Sequence, residues 1–165
     1  MPHSAWGKVM LTKVASRVPL LVKAPGVTRP GSVCQVPVIS FDFFPTLLEL
    51  AGARASASRP AIDGLSFVPL LKAEASTPRR ELFWHYPHYW NAKGELPVAP
   101  YSVARLGDWK LIRFYETGRD ELYNLNMDLS EEHDLAAIEP GKHRELSNRL
   151  EAWLKEVDAQ MPAPR

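Results

Sequence analysis

YSVARLGDWKLIRFY, residues 101–115, contains two runs rich in apolar, β-branched and aromatic residues, joined by Gly107-Asp108. A Gly-Asp pair between two such runs is a hairpin turn signal, and Thr117-Gly118 is a second one further along. The sequence therefore predicts a small antiparallel sheet. Its four strand candidates are residues 82–86, 101–106, 109–115 and 121–125.

A helix is predicted after this sheet. Pro140 suits the first helical position, and apolar residues then recur at spacings of four, three and four, at Leu146, Leu150, Trp153 and Val157. We expect this apolar side to cover the sheet, which gives a small α+β subdomain over residues 77–165.

The first part of the chain has a different pattern, and we predict a separate domain over residues 1–76. Residues 18–23 form a short apolar run closed by Ala-Pro-Gly, which is typical of a buried strand in a parallel sheet. Ser40 is expected to cap a helix that carries Phe44, Leu47 and Leu48 and stops at Gly52. The fold class predicted for the whole chain is α/β, followed by the α+β subdomain.

Composition and charge exclude several classes of protein. The 165 residues are 45% hydrophobic and 24% charged, which is ordinary for a folded protein, and the net charge of +1 offers no field for a nucleic acid partner. Cys34 is the single cysteine, so intramolecular disulfides and cysteine-based metal clusters are excluded. No apolar run approaches the roughly 20 residues of a membrane span, and residues 1–8 lack the features of an export signal.

The most site-like segment is residues 85–90, HYPHYW, where His85 and His88 lie among aromatic residues. Imidazoles at this spacing could bind an anion or move a proton, and the rings could line a sugar or aryl pocket. The alternative is a packed aromatic loop whose histidines are merely hydrogen-bonded. His133 and His143 are expected on solvated surfaces, and five carboxylates are expected to cap helices or turns: Asp42, Asp63, Asp108, Asp120 and Asp128.

Six segments along nearly the whole chain form a recognisable series: RVPL at 17–20, SFDFFPTLLELAG at 40–52, DGLSFVPLL at 63–71, LFWHYPH at 82–88, RLGDWKLI at 105–112 and ELYNL at 121–125. In this order they resemble the C-terminal part of the sulfatase family, in its bacterial arylsulfatase type. The resemblance implies the end of an alkaline-phosphatase-like α/β core, followed by an antiparallel sheet of about four strands packed on a C-terminal helix.

The resemblance also implies a reaction, the hydrolysis of sulfate esters. In the family, a formylglycine made within a Cys/Ser-x-Pro/Ala-x-Arg motif attacks sulfur, and a calcium ion clamps the sulfate. Cys34 is followed by Gln-Val-Pro and does not fit this motif, and no Asp-Asn metal motif stands just upstream. We therefore expect the nucleophile and the calcium ligands outside this chain, and no cofactor bound by this chain alone.

Three residues are carried over from the resemblance as candidates. Lys8 and Arg17 keep the family's interval of nine residues, so Lys8 is the expected catalytic, sulfate-binding lysine. His85 and His88 match a segment that often borders the substrate entrance, so they are expected to select the sulfated small molecule or glycan. The family is commonly periplasmic or secreted, and the sequence adds nothing on the compartment.

Two hypotheses about function remain open. The first is a C-terminal sulfatase fragment that is inactive alone, and the second is a non-catalytic module that binds a sulfated glycan or assembles with a separate N-terminal part. The apolar residues within 18–22 and 41–50 would be exposed without neighbours, so self-association is also expected.

Overall fold

The computed structural model describes residues 18–53, 63–74, 80–89 and 98–163. Two compact units lie within Pro19–Pro78 and Arg79–Arg165. The predicted boundary between residues 76 and 77 falls outside the described residues and stays a prediction. None of the described helices is long and apolar enough to cross a membrane.

The second unit contains a four-stranded antiparallel sheet in the order β1-β2-β3-β4. Gly107, with a φ of 60°, occupies the turn between β2 and β3, where Leu106 pairs with Trp109. The predicted meander and both hairpin turns are therefore confirmed. The strands are β1 (Glu81–Tyr86), β2 (Tyr101–Leu106), β3 (Trp109–Phe114) and β4 (Arg119–Asn124).

A long helix covers one face of this sheet. It spans Pro140–Glu156, and we call it α3 because two shorter helices precede it in the chain. Its buried residues pack against the sheet, and the indole of Trp153 stacks on the ring of Phe83 with centroids 5.0 Å apart. The shared core consists of Leu146, Leu150 and Leu154 from the helix and Ala104, Leu111 and Leu122 from the strands. The predicted α+β subdomain is thus confirmed.

The opposite face of the sheet has its own apolar cluster, formed by Val103, Ile112 and Tyr123. Polar groups are buried beside it. Glu121 accepts a hydrogen bond from the Tyr123 hydroxyl at 2.6 Å. Burial, followed by this contact with Glu121, raises the pKa of Tyr123 far above its usual value, so the phenol stays protonated.

The first unit has little regular structure among its described residues. A short 3-10 turn, Ser40–Asp42, leads into helix α1, Phe43–Leu50, and a further helix, α2, spans Val68–Leu71. The predicted helix stopping at Gly52 is confirmed, since Gly52 has a φ of 68°. The predicted Ser40 cap is wrong, because the carboxylate of Asp42 accepts the N–H of Ile39 at the start of the helical turn.

The predicted strand over residues 18–23 is also wrong for the structure described. This segment has no regular secondary structure, and its side chains are mostly exposed, with Leu21 at 95%. A strand needs a neighbour to accept and donate its backbone hydrogen bonds. None of the described strands pairs with this segment.

Candidate functional site

The predicted histidines lie at the end of β1 and just beyond it. Along this strand, Phe83 and His85 point to the face covered by α3, as the stacking of Phe83 on Trp153 shows. Tyr86 points to the opposite face, because alternate residues of a strand do so. His88 follows the strand, is exposed, and contacts Tyr86. The structure therefore does not bring the two histidines together in one site.

Both ring nitrogens of His85 are engaged by the protein. Nε2 lies 2.8 Å from the carbonyl oxygen of Gln160, and Nδ1 lies 2.7 Å from the Ser102 hydroxyl. A carbonyl only accepts, so the proton of the neutral ring is on Nε2 and Nδ1 accepts from Ser102. Tyr115 then donates its hydroxyl proton to Ser102, at 2.8 Å. His85, in β1, thus links Gln160 after α3 to Ser102 in β2. Through Ser102 it is also connected to Tyr115 at the end of β3.

His88 and two tyrosines form an aromatic group on the other side. The ring of Tyr86 stacks on that of Tyr101 with centroids 5.6 Å apart, and the imidazole of His88 stands at 90° to the Tyr86 ring at 5.9 Å. Burial first, and the neighbouring Tyr86 second, raise the pKa of Tyr101. Both effects keep the Tyr101 phenol protonated near neutral pH. Aromatic rings beside hydrogen-bonding groups are suited to binding a sugar.

Lys8 lies outside the described residues, so its predicted role stays a prediction, and Trp90, the last residue of the segment 85–90, lies outside them as well. The sequence reasoning missed one match to the letters of the Cys/Ser-x-Pro/Ala-x-Arg motif, the pentapeptide Ser76-Thr77-Pro78-Arg79-Arg80. Only Arg80 of this segment is described. The match by itself assigns no nucleophile to this chain.

Calcium does not fit the described residues of this chain. Within these ranges, no three His, Cys, Asp or Glu side chains come together in a way that could hold a metal ion. Two carboxylates of the described residues are instead engaged within the protein. Asp42 accepts the backbone N–H groups of Ile39 and Leu65. Asp128 accepts those of Glu132 and His133.

Asp120 has a different role from the predicted turn cap. It lies in β4, where both carboxylate oxygens accept hydrogen bonds from the guanidinium of Arg113 at 3.0 Å. His143 Nε2 reaches the same carboxylate at 3.0 Å and is partly buried, so the expected solvated surface for His143 is wrong. This cluster joins α3 to the sheet.

A groove of about 490 Å³ lies in the first unit and includes the exposed thiol of Cys34. Glu74 is its only charged side chain, so the groove does not offer a positive site for a sulfate. The groove is lined by Ser32, Val33, Cys34, Gln35, Val36, Leu70, Ala73 and Glu74.

The chain is similar to sulfatases over nearly its whole length. It is 37% identical over 149 residues to a sulfatase of Formosa agariphila, which covers 84% of this chain and 27% of that protein. It is 29% identical over 163 residues to an N-acetylglucosamine-6-O-sulfatase of Bacteroides thetaiotaomicron, covering 97% of this chain and 29% of that one. The chain thus spans little more than a quarter of the length of these relatives.

A solved structure of another protein, in complex with its substrate D-glucosamine-2-N,6-O-disulfate, has a similar fold. The match has a TM-score of 0.56 at 31% identity and covers 73% of this chain and 24% of that one. A sequence model described as N-sulphoglucosamine sulphohydrolase, C-terminal, matches residues 2–160. This chain therefore belongs to that family, the C-terminal domain of sulfatases.

Proposed function

We propose that this chain is the C-terminal part of a sulfuric ester hydrolase that acts on a sulfated sugar. The observation that carries the proposal is the family match over residues 2–160. The sugar is supported by two relatives, one named for N-acetylglucosamine-6-O-sulfate chemistry and one solved with a sulfated glucosamine. The overall reaction would convert a sulfate ester and water into an alcohol and hydrogen sulfate.

The bond-breaking groups are assigned to polypeptide outside the described residues. In the family that this chain resembles, a formylglycine and a calcium ion supply the nucleophile and the sulfate clamp. Since the described side chains do not fit a calcium cage, we assign them no step in the cleavage. Lys8 stays our candidate for a sulfate-binding lysine, where an ammonium would neutralise a sulfate oxygen.

The described residues would contribute to choosing the substrate. Of the two predicted histidines, His88 is better suited to direct contact, because it is exposed and packs against Tyr86. Its imidazole can donate to a sulfate or sugar oxygen, and the Tyr101 phenol is a further donor. His85 could contact substrate only by giving up its hydrogen bond to Ser102 or to Gln160, so we favour a positioning role for it.

A chimera tests this proposal. The matched 29% of the Bacteroides thetaiotaomicron relative would be exchanged for this chain, and sulfate release from N-acetylglucosamine 6-sulfate would be measured. We expect turnover, and we expect His88→Ala to raise KM several-fold with a smaller effect on kcat. His133→Ala is the matched control, since this side chain is 79% exposed and lies outside the aromatic group. A folded chimera that releases no sulfate would contradict the proposal.

The chain by itself is expected to release no product from an aryl sulfate in the presence of calcium. Calcium-dependent turnover by the purified chain would place the reactive groups inside it, against our assignment.

The second candidate function is a non-catalytic module that grips a sulfated glycan. The aromatic group of Tyr86, His88 and Tyr101 favours it, because such rings could hold a sugar without any reactive group nearby. Titration calorimetry of the chain with a sulfated oligosaccharide and its desulfated form separates the candidates. Saturable heat with the sulfated form alone would support a binding module.

Self-association through exposed apolar side chains stays a prediction about partners. Sedimentation velocity at several concentrations tests it, with a concentration-dependent rise in sedimentation coefficient as the expected result.

A further inference from the structure

Strand β1 forms one edge of the four-stranded sheet. The N–H of Tyr115 bonds to the carbonyl of Pro100, just beyond the paired ends of β3 and β2, and such bonded pairs recur at every second residue of an antiparallel ladder. The even-numbered residues of β2 therefore bond to β3, and its odd-numbered residues bond to the even-numbered residues of β1. The odd-numbered residues of β1, Glu81, Phe83 and His85, thus point their backbone groups away from the sheet.

The two edges of the sheet are treated differently by the rest of the chain. At β4, the N–H of Leu122 donates to the carboxylate of Asp134, and its carbonyl accepts the N–H of Leu135. At β1, no hydrogen bond within the described ranges reaches the outward backbone groups. Strand β1 also contains no proline, and its pairing with β2 has no bulge. An edge of this kind is a template for another strand.

We propose that β1 pairs antiparallel with β1 of a second copy of this chain, so that two four-stranded sheets become one sheet of eight strands. A two-fold axis at Phe83 gives the register in which all three outward residues pair with one another. Phe83 then lies opposite Phe83 of the second copy, and Glu81 lies opposite His85 on both sides of the axis.

Other registers are less favourable for reasons that the strand itself supplies. An axis at Glu81 would place two carboxylates directly opposite each other, and like charges in that position are destabilising. An axis at His85 would place Phe83 opposite Pro87, which has no N–H to donate. The axis at Phe83 avoids both, because it sets each carboxylate beside an imidazole.

The face of the sheet opposite α3 supplies an apolar contact for the same dimer. Trp84 lies in the middle of β1 and is 38% exposed, although it is the largest apolar side chain of the strand. In the proposed register, Trp84 lies opposite Leu82 of the second copy, and the two Trp84 side chains are diagonal neighbours within reach of each other. Pairing would therefore cover a tryptophan that the chain alone leaves partly in water.

A rival surface for association lies on helix α1, in the first unit. The Thr46 hydroxyl accepts the N–H of Phe67 at 3.0 Å, and the Asp42 carboxylate accepts the N–H of Leu65, so these polar groups face inward. Apolar side chains are left exposed on the helix, with Leu47 at 61%. Leu47→Glu weakens this rival surface without removing a buried side chain, and so separates it from the β1 edge.

Sedimentation velocity of the full chain at increasing concentration tests the proposal. We expect a monomer–dimer equilibrium that persists in Leu47→Glu. Trp84→Lys should raise the dissociation constant by about tenfold to a hundredfold, because it removes the apolar contact and brings two ammonium groups beside the axis. Met127→Lys is the matched control, since Met127 is 84% exposed beyond the end of β4 and the same added charge there should leave the dissociation constant unchanged.

The proposal is overturned if the chain stays monomeric at every concentration. It is also overturned if Leu47→Glu abolishes association while Trp84→Lys leaves it intact.

Amide exchange gives a second test that needs no variant. The N–H groups of Phe83 and His85 should become protected as the concentration rises, whereas those of Leu82 and Trp84 bond to β2 and should be protected throughout. A dimer that protects neither Phe83 nor His85 would overturn the proposal, even if Trp84→Lys did not fold. The pairing does not depend on hydrolysis, so its failure would leave the proposed function and the chimera experiment untouched.

Discussion

The ammonium of Lys110 lies 3.0 Å from each carboxylate oxygen of Glu131, and both side chains are almost completely buried. Lys110 belongs to β3, whereas Glu131 lies after β4 with a φ of 55°, a left-handed conformation that is unfavourable for a residue with a side chain. The ion pair therefore holds a strained turn against the sheet. Each ion has lost most of its water and depends on the other for compensation.

Glu131→Gln tests this dependence. It removes the charged partner of Lys110 while keeping the size of the side chain, so we expect the free energy of unfolding to fall by about 3–5 kcal/mol. Urea unfolding of the chain measures it. Glu145→Gln is the control, because Glu145 pairs with Lys142 at the surface and its loss should cost less than about 0.5 kcal/mol. Equal effects of the two changes would contradict the argument.

The hydrogen-bond chain from Tyr115 through Ser102 to His85 predicts unequal costs for its two hydroxyl groups. Ser102→Ala removes the middle group, so His85 Nδ1 and the Tyr115 hydroxyl both lose this partner, at about 1–3 kcal/mol. Tyr115→Phe removes only the end of the chain, at about 0.5–1.5 kcal/mol. Thermal unfolding of both variants ranks them, and the reverse order would contradict the central place of Ser102 in this chain of hydrogen bonds.

The apolar side of α3 predicts a contrast between two of its positions. Leu150 is completely buried against the sheet, and Leu150→Ala should cost about 2–5 kcal/mol. Val157 is 49% exposed just beyond the helix end at Glu156, and Val157→Ala should cost less than about 0.5 kcal/mol. Urea midpoints of the two variants check this, and a cost at Val157 near that at Leu150 would contradict it.

This contrast shows where sequence reasoning succeeded and where it failed in the helix. The spacing of Leu146, Leu150 and Trp153 was enough to predict a helix and the side that packs on the sheet. It wrongly added Val157 and missed Leu154, because the pattern alone does not show where the helix ends. Beyond Glu156, the backbone no longer carries the side chain toward the sheet.

The four strands of the sheet could be predicted from local sequence, whereas the strand predicted at residues 18–23 was wrong because its formation depends on a distant partner. Gly107 and Gly118 both have positive φ values, so the hairpin turns are encoded in a few adjacent residues. Residues 18–23 have the composition of a strand, but pairing requires a distant partner that composition does not supply. For the site, the spacing of three between His85 and His88 already favoured opposite faces in an extended segment, a signal that the motif reading overlooked.

Asp134, which sequence reasoning missed, predicts a loss of stability in acid. Burial alone would raise the pKa of its carboxyl, but the N–H groups of Ala136 and Leu122 and the guanidinium of Arg119 outweigh burial and hold the pKa below its usual value. The folded state thus releases this proton more readily than the unfolded state. The contribution of the Asp134 carboxylate to the free energy of unfolding is fully present above the pKa of the unfolded state, near 3.8. This contribution is lost as the pH falls through the lower pKa of the folded state.

We therefore expect Asp134→Asn to destabilise the chain at neutral pH, by about 1–3 kcal/mol, and to make little difference at the acid end of the titration. Urea unfolding from pH 2 to pH 7 measures the gap between variant and wild type. Glu116→Gln, at an exposed turn position, is the control and should give no such convergence. A gap that stays constant with pH would show that the hydrogen bonds do not depend on the charge.

Two glycines of the chain predict opposite outcomes for the same substitution. A Cβ on Gly64 would overlap the backbone carbonyl of Phe41, at the point where the Asp42 carboxylate receives the N–H of Leu65. The backbone cannot move aside without breaking that bond, so Gly64→Ala should destabilise the first unit by about 1–3 kcal/mol. Gly141 lies in the first turn of α3 with open space around its Cα, so Gly141→Ala should be neutral or stabilise by up to about 1 kcal/mol.

Amide exchange at Leu65 and Phe67 reports the first substitution, and the urea midpoint of the second unit reports the other. We expect faster exchange at both amides in Gly64→Ala and unchanged exchange at both in Gly141→Ala. Unchanged exchange in Gly64→Ala would mean that the backbone at Phe41 shifts to accommodate the new Cβ without a loss of stability. The hydrogen bonds of Asp42 and Thr46 would then not be what fixes α1 in the orientation that exposes its phenylalanines and leucines.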